Sequence, residues 1–219
     1  CPAFDVNGAC SGFIYALDVA AGYYARKRVQ KVLVVAAETM TRLSNWEDRS
    51  TCVLFGDAAG AVVLDVGEDL LSVRLTTVGN TELLTIPGVW GNCPFSEIEA
   101  DQPFLNMQGQ DVYKFAVSAM VADIRAVVRE AGLTLNDIDY VLPHQANLRI
   151  IEAAQRRLRI PRYKMLTAVE KFGNTASASI PLLMDIAHRE GRFKRGDLLA
   201  LSAFGGGLTT GACVLRWNR

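Results

Sequence analysis

The chain has 219 residues, 23 Lys+Arg against 23 Asp+Glu and a hydrophobic share of 50%, enough for one large domain or two small ones that bury roughly 70% of the unfolded surface. A formal charge of zero supplies no global field to attract nucleic acid or an anionic membrane, and no apolar run approaches the roughly 20 residues that span a bilayer. Five cysteines without a CxxC pair, beside only two histidines, argue against a zinc site or a disulfide-stapled secreted fold and for reduced thiols in a cytoplasmic protein.

In chain order, the sequence starts at Cys1-Pro2 with no charged segment leading into an apolar run, so no secretion signal is expected and residue 1 does not look like the start of a gene. Ala3 to Ala9 reads as a buried strand, and Ser11 to Arg28 as a helix with apolar residues at Phe13, Ile14, Leu17, Ala20, Ala21 and Tyr24. The β-branched run from Lys31 to Glu38 predicts a strand covered on both faces, closing a parallel βαβ unit. Ala58 to Asp65 and Leu70 to Val78 read as an antiparallel pair, and residues 79–106, rich in Pro, Gly and Asn, as a long surface loop or lid.

Gln110 to Ala131 is an amphipathic helix closed by Gly132, Tyr140 to Pro143 a short strand, and Leu148 to Leu158 a basic helix. A last helix runs from about Ala178 to Arg189, followed by strands from Asp197 to Ala203 and from Thr210 to Trp217. This order predicts an α/β protein with mixed sheets between helical layers, divided near the 80–106 loop.

Cys10 stands where a strand turns into a helix, between Gly8-Ala9 and Ser11-Gly12. Small neighbours let a nucleophile stand clear, and a thiol at a helix N-terminus gains thiolate character. The alternative is a small buried hydrophobe, the reading taken for Cys52, Cys93 and Cys213. His144 follows a strand, at the position where α/β folds place active sites, although a lone His is more often structural. His188 reads as a solvated-face residue. Asn174 sits in a tight turn, with a cap or turn role as its alternative. Gly205-Gly-Gly207 is either a flexible turn or a backbone oxyanion site.

A Cys, a His, an Asn and a Gly-rich turn together suit acyl-thioester chemistry. Papain-type proteases also place His and Asn well downstream of Cys, but they carry Cys-Gly-Ser/Ala-Cys-Trp/Tyr around the nucleophile. Here the run is Gly8-Ala-Cys-Ser-Gly-Phe13 within a βαβ pattern.

Six motifs in order, Asp5-Val-Asn-Gly-Ala-Cys-Ser-Gly-Phe13, Trp46-Glu-Asp-Arg49, Phe55-Gly-Asp57, His144-Gln-Ala-Asn147, Gly173-Asn-Thr175 and Phe204-Gly-Gly-Gly207, resemble β-ketoacyl-acyl carrier protein synthase III from residue 3 onward. The resemblance implies a thiolase-like αβαβα fold with mixed five-stranded sheets whose first half is incomplete, the chain lacking roughly the family's first third. It divides the chain into 1–106, carrying the nucleophile, and 107–219, carrying His, Asn and the Gly-rich loop. It implies decarboxylative condensation of an acyl-CoA primer with malonyl-acyl carrier protein, initiating bacterial type II fatty acid synthesis in a cytoplasmic homodimer.

By the same resemblance Cys10 takes the acyl group, His144 and Asn174 stabilise the enolate, and the backbone N–H groups of Cys10 and Gly206 form the oxyanion hole. Arg49 would pack on the adenine of coenzyme A, and Phe55, Met107, Asn147 and Phe204 would line the acyl and pantetheine tunnel. Lys114, Arg149, Arg156 and Arg157 would dock the acidic carrier protein. Coenzyme A enters as substrate, and no cofactor or metal is expected. Alternative readings are a related condensing enzyme of a polyketide or other secondary-metabolite pathway, a cysteine hydrolase, and a non-catalytic carrier-protein-binding subunit.

Overall fold

In a computed structural model that describes residues 1–86 and 104–219, the strands Leu70–Asn80 (β3), Tyr140–Pro143 (β6), Leu198–Gly205 (β7) and Gly207–Arg216 (β8) form a mixed sheet in the order β3-β8-β7-β6. β6 and β7 run parallel, while β8 is antiparallel to both of its neighbours. Leu199, Ala200, Leu201, Cys213 and Val214 are essentially inaccessible, so the central strands β7 and β8 are covered on both faces.

One face carries the helices Gly109–Glu130 (α2) and Leu148–Leu158 (α3), whose Val117, Met120, Ile124, Val127, Ile151 and Ala154 join Ala200, Ala212 and Val214 in one core. The opposite face carries Gly12–Ala25 (α1) and Ser179–Arg189 (α5), where Phe13, Ile14, Leu17, Ile180 and Leu183 meet Leu142, Leu199 and Leu201. Each large aliphatic or aromatic side chain buried in these cores contributes about 1.5–3 kcal/mol. Gly211 of β8 leaves room for α1, since a Cβ there would lie 3.2 Å from Ile14.

Beyond α1 and α5 lies a second, antiparallel sheet of Lys31–Thr39 (β1) and Asp57–Asp65 (β2). Four layers, α, β, α, β, are therefore present among the described residues. The strands Leu84–Thr85 (β4) and Asn106–Met107 (β5) make a short antiparallel bridge at the mouth of the site, and Val169–Phe172 (α4) is a single helical turn before Gly173.

Several expectations are corrected. Ala3 to Ala9 is not a buried strand: no described strand pairs with it, and Ala3, Phe4, Asp5 and Asn7 are exposed. Among the described residues the parallel βαβ unit is consequently absent, because β1 pairs there with the antiparallel β2 alone. β1 is also covered on one face only, with Leu33 63% and Val35 56% exposed. β2 and β3 do not pair with each other but belong to different sheets, and among the described residues the sheets hold four, two and two strands. Strand alternation shows which face is buried but does not specify the neighbour, which depends on long-range contacts. The expected 79–106 loop begins inside β3, and its residues 87–103, with Cys93, lie outside the described residues.

Candidate active site

Cys10 lies in a 3-10 turn, Ala9–Ser11, that leads directly into α1. The turn is tight: Ala9 adopts φ 48°, in the left-handed region that strains a non-glycine residue, and its N–H donates to Asn7 Oδ1 at 3.1 Å. A second clamp comes from β8, where Thr209 Oγ1 donates toward the Gly8 carbonyl at 2.9 Å and also lies 3.2 Å from the Gly206 carbonyl oxygen. The Cys10 turn and the Gly-rich loop therefore meet at one hydroxyl.

Within that loop the closest approach is made by Gly205, where an added Cβ would sit 2.6 Å from the Cys10 nitrogen. Gly206, the expected oxyanion donor, packs farther out, with its would-be Cβ 3.9 Å from Ala9 Cβ. Only glycine at 205 lets the backbone of the loop lie against Cys10.

His144 follows β6 and is 1% exposed. Its backbone N–H donates to the Ser202 carbonyl at 2.7 Å, its ring packs edge-on against Phe204 at 5.3 Å, and its Nδ1 lies 2.7 Å from Ser179 Oγ. Burial lowers its pKa from 6.5 to about 3, so the imidazole is neutral at physiological pH. Next to it, Gln145 is fully engaged: its Nε2 donates to the Pro143 carbonyl at 2.7 Å, and its Oε1 accepts from the N–H groups of Ala168 and Val169 at 2.7 and 3.1 Å. That side chain ties the end of β6 to the start of α4, which leads to Asn174.

Asn174 is 8% exposed. It is held by its backbone, with its N–H donating to the Leu54 carbonyl at 2.8 Å and its carbonyl accepting from Gly56 at 3.0 Å. Its Oδ1 accepts from the Ala176 N–H at 2.9 Å, which leaves the amide Nδ2 as a donor. Gly56 is required at this crossing, since a Cβ would fall 2.1 Å from the Phe172 carbonyl oxygen.

The three side chains open onto one cleft of about 700 Å³, lined also by Phe55, Met107, Asn147, Phe204, Lys114 and Arg149. Arg49 is not in the lining, although its neighbour Ser50 is; it is exposed and makes no ion pair among the described residues. Arg156 and Arg157 lie at the far end of α3, outside the cleft, with Arg156 3.9 Å from Glu152. No group of His, Cys, Asp or Glu among the described residues is placed to hold a metal ion.

The thiol departs from expectation. Burial, and secondarily the Glu38 carboxylate, raise Cys10 to about 12, against only a small opposing pull from its own backbone N–H. Desolvation and the like charge of Glu38 thus work against the thiolate character that a helix terminus would give. Glu38, itself bonded by the hydroxyl and backbone N–H of Ser177, was not a sequence candidate. Neither were Gln145, Ser179 and Thr209; the available signal was a polar residue inside an otherwise apolar element for Ser179 and Thr209, and the place beside His144 for Gln145. Cys213 is buried within β8 and likewise raised to about 12, a structural thiol. His188 is half-buried against Trp217 at 5.4 Å instead of solvated.

Models of the 3-oxoacyl-(acyl-carrier-protein) synthase III family match residues 4–79, and the model of its C-terminal part matches residues 128–217. The chain belongs to the 3-oxoacyl-(acyl-carrier-protein) synthase III family. A β-ketoacyl-(acyl-carrier-protein) synthase III of Alkalilimnicola ehrlichii is 47% identical over 219 residues, covering 98% of this chain and 67% of that protein. The crystal structure of the synthase III of Aquifex aeolicus matches with a TM-score of 0.88 at 44% identity, covering 98% of this chain and 67% of that one. The priming β-ketosynthase of a polyketide biosynthetic pathway matches with a TM-score of 0.90 at 34% identity over 98% of this chain and 65% of that one. The chain thus spans about two thirds of its relatives' length. Membership makes the chain an acyltransferase of the condensing type and accords with its α/β layers. No helix of the described residues is long and apolar enough to cross a membrane.

Proposed function

We propose that the chain carries out the decarboxylative condensation of an acyl-CoA primer with malonyl-acyl carrier protein through an acyl-Cys10 intermediate. The observation that carries this reading is the convergence of Cys10, His144 and Asn174 on one cleft, with Gly205 packed against the Cys10 backbone.

In the first half-reaction, Cys10 Sγ attacks the thioester carbonyl, the carbon–sulfur bond to coenzyme A breaks, and the thiol proton leaves with the coenzyme A thiolate. Because the resting thiol is protonated at neutral pH, deprotonation accompanies attack on bound substrate instead of preceding it. Backbone N–H groups at Cys10 and in the Gly205-Gly206 loop face the developing oxyanion, where preorganised donors stabilise the transition state more than the ground state.

In the second half-reaction, the malonyl carbon–carbon bond breaks, carbon dioxide leaves, and its electron pair forms an enolate that attacks acyl-Cys10. His144 and Asn174 donate to the enolate oxygen. A neutral imidazole and an amide, buried at 1% and 8% exposure, supply donors without the cost of a buried ion. Lys114 and Arg149 at the cleft mouth supply positive charge for an acidic carrier protein, and the assembly is a homodimer.

The half-reactions separate experimentally: His144→Ala is expected to spare acylation of Cys10 and to lower malonyl decarboxylation by about 100-fold or more, the usual loss for one oxyanion donor. Equal loss of both steps would make His144 a base for the thiol. A second reading, priming of a polyketide or other secondary-metabolite pathway, is favoured by the 34% identical polyketide ketosynthase; the acylation rates of straight, branched and aromatic acyl-CoAs distinguish the two.

A further inference from the structure

We infer that Ser179 is a positioning residue that fixes the tautomer of His144, so that the imidazole presents Nε2–H to the cleft and not a bare nitrogen. This rests on the assignment of His144 to the decarboxylation step. Ser179 is the first residue of α5, 2% exposed, and its Oγ has two polar neighbours among the described residues: His144 Nδ1 at 2.7 Å and the Gln145 backbone nitrogen at 3.3 Å. The Gln145 N–H can only donate, so it occupies an Oγ lone pair. The serine proton then has a single acceptor in reach, His144 Nδ1.

The opposite arrangement, Nδ1–H donating to Oγ, would give the hydroxyl oxygen two incoming protons and leave its own proton buried with nothing to accept it, a situation native structures avoid. A neutral imidazole carries one proton, so a bare Nδ1 places it on Nε2. Asn174 is arranged alike: its acceptor Oδ1 is occupied by Ala176 N–H, and its donor Nδ2 is left over. In both residues the acceptor atom is engaged by protein and the donor is kept for the cleft. Such a site stabilises an oxyanion and does not take up a proton.

The test uses the chain labelled with 15N-histidine. Two-bond proton–nitrogen spectra separate protonated from bare ring nitrogens, and His188→Gln identifies the signals of His144. The expected result at neutral pH is a bare, hydrogen-bonded Nδ1 and a protonated Nε2. Ser179→Ala is expected to move the Nδ1 signal to that of an unbonded nitrogen or to add the second tautomer, and to lower malonyl-thioester decarboxylation about 10- to 100-fold, as when a partner that orients a histidine is lost, with Cys10 acylation unchanged. Ser179→Thr, which keeps the hydroxyl, is expected to behave as the parent. A protonated Nδ1 in the parent chain would overturn the inference, as would a Ser179→Ala variant with unaltered histidine signals and unaltered decarboxylation. Failure of Cys10 to accept an acyl group would instead refute the proposed function, because the tautomer is read without turnover.

Discussion

At Cys10 and His144 burial acts in opposite directions on opposite kinds of group, and both shifts favour the neutral form. The kinetic consequence is that decarboxylation has no ionisation of His144 to follow between pH 6 and 8: its rate is expected to be flat there, and an acid limb centred near 6.5 in a pH–rate profile would contradict a buried neutral ring. The stability consequence has a definite sign. The folded value of about 3 lies below the ordinary 6.5, so between those pH values the unfolded chain holds a proton that the folded chain refuses, and stability falls as pH drops through that window. His144→Gln should flatten the dependence of the urea midpoint on pH from 6.5 down to 3. His144 was legible as a residue just after a strand and Cys10 as one at the start of a helix, although no described strand precedes Cys10. What the sequence did not disclose was their electrostatic state, because Glu38 and the burying elements come from distant segments.

Among the elements, those set by local periodicity match the sequence closely: α3 spans Leu148–Leu158 and β6 Tyr140–Pro143, both as expected, and α2 ends at Glu130 just before Gly132 at φ 71°. Pairing was less legible, since β2 and β3 were expected together and lie in different sheets. The glycine crossings that bind these elements into a site are contacts of the same long-range kind. At Gly205 an alanine Cβ would strike the Cys10 backbone at 2.6 Å, so Gly205→Ala is expected to slow acylation of Cys10 more than it lowers thermal stability. At Gly56 the obstacle is the Phe172 carbonyl at 2.1 Å. Gly56→Ala should cost about 1–3 kcal/mol, the range for forced overpacking, and should impair decarboxylation through displacement of Asn174; unchanged denaturation midpoints and unchanged decarboxylation would show that the crossing tolerates a side chain.

For the whole molecule, the uneven covering of the two sheets stands out. The four-stranded sheet is enclosed by α1, α2, α3 and α5, whereas β1 and β2 turn an apolar face outward: Leu33 lies opposite Val63 and Val35 opposite Ala61, with Leu33 63%, Val35 56% and Val63 67% exposed. An exposed contiguous patch of this kind promotes association. Leu33→Lys together with Val35→Lys is expected to reduce binding of a hydrophobic dye and loss of soluble protein on concentration, with stability changed by no more than about 0.5 kcal/mol per site, as for surface positions. A larger loss would place these side chains in the packing of the fold. Among the described residues the apolar side chains are thus divided between the cores on the two faces of the four-stranded sheet, a small cluster of Met40, Leu105 and Ala176, and one open face, and Cys10, His144 and Asn174 meet at the candidate cleft. The central claim is that this cleft stores an acyl group on Cys10. Intact-protein mass spectrometry after incubation with an acyl-CoA tests it directly: the account predicts a single acyl adduct with release of free coenzyme A, absent in Cys10→Ser, whereas no adduct, or one that persists in Cys10→Ser, would contradict it.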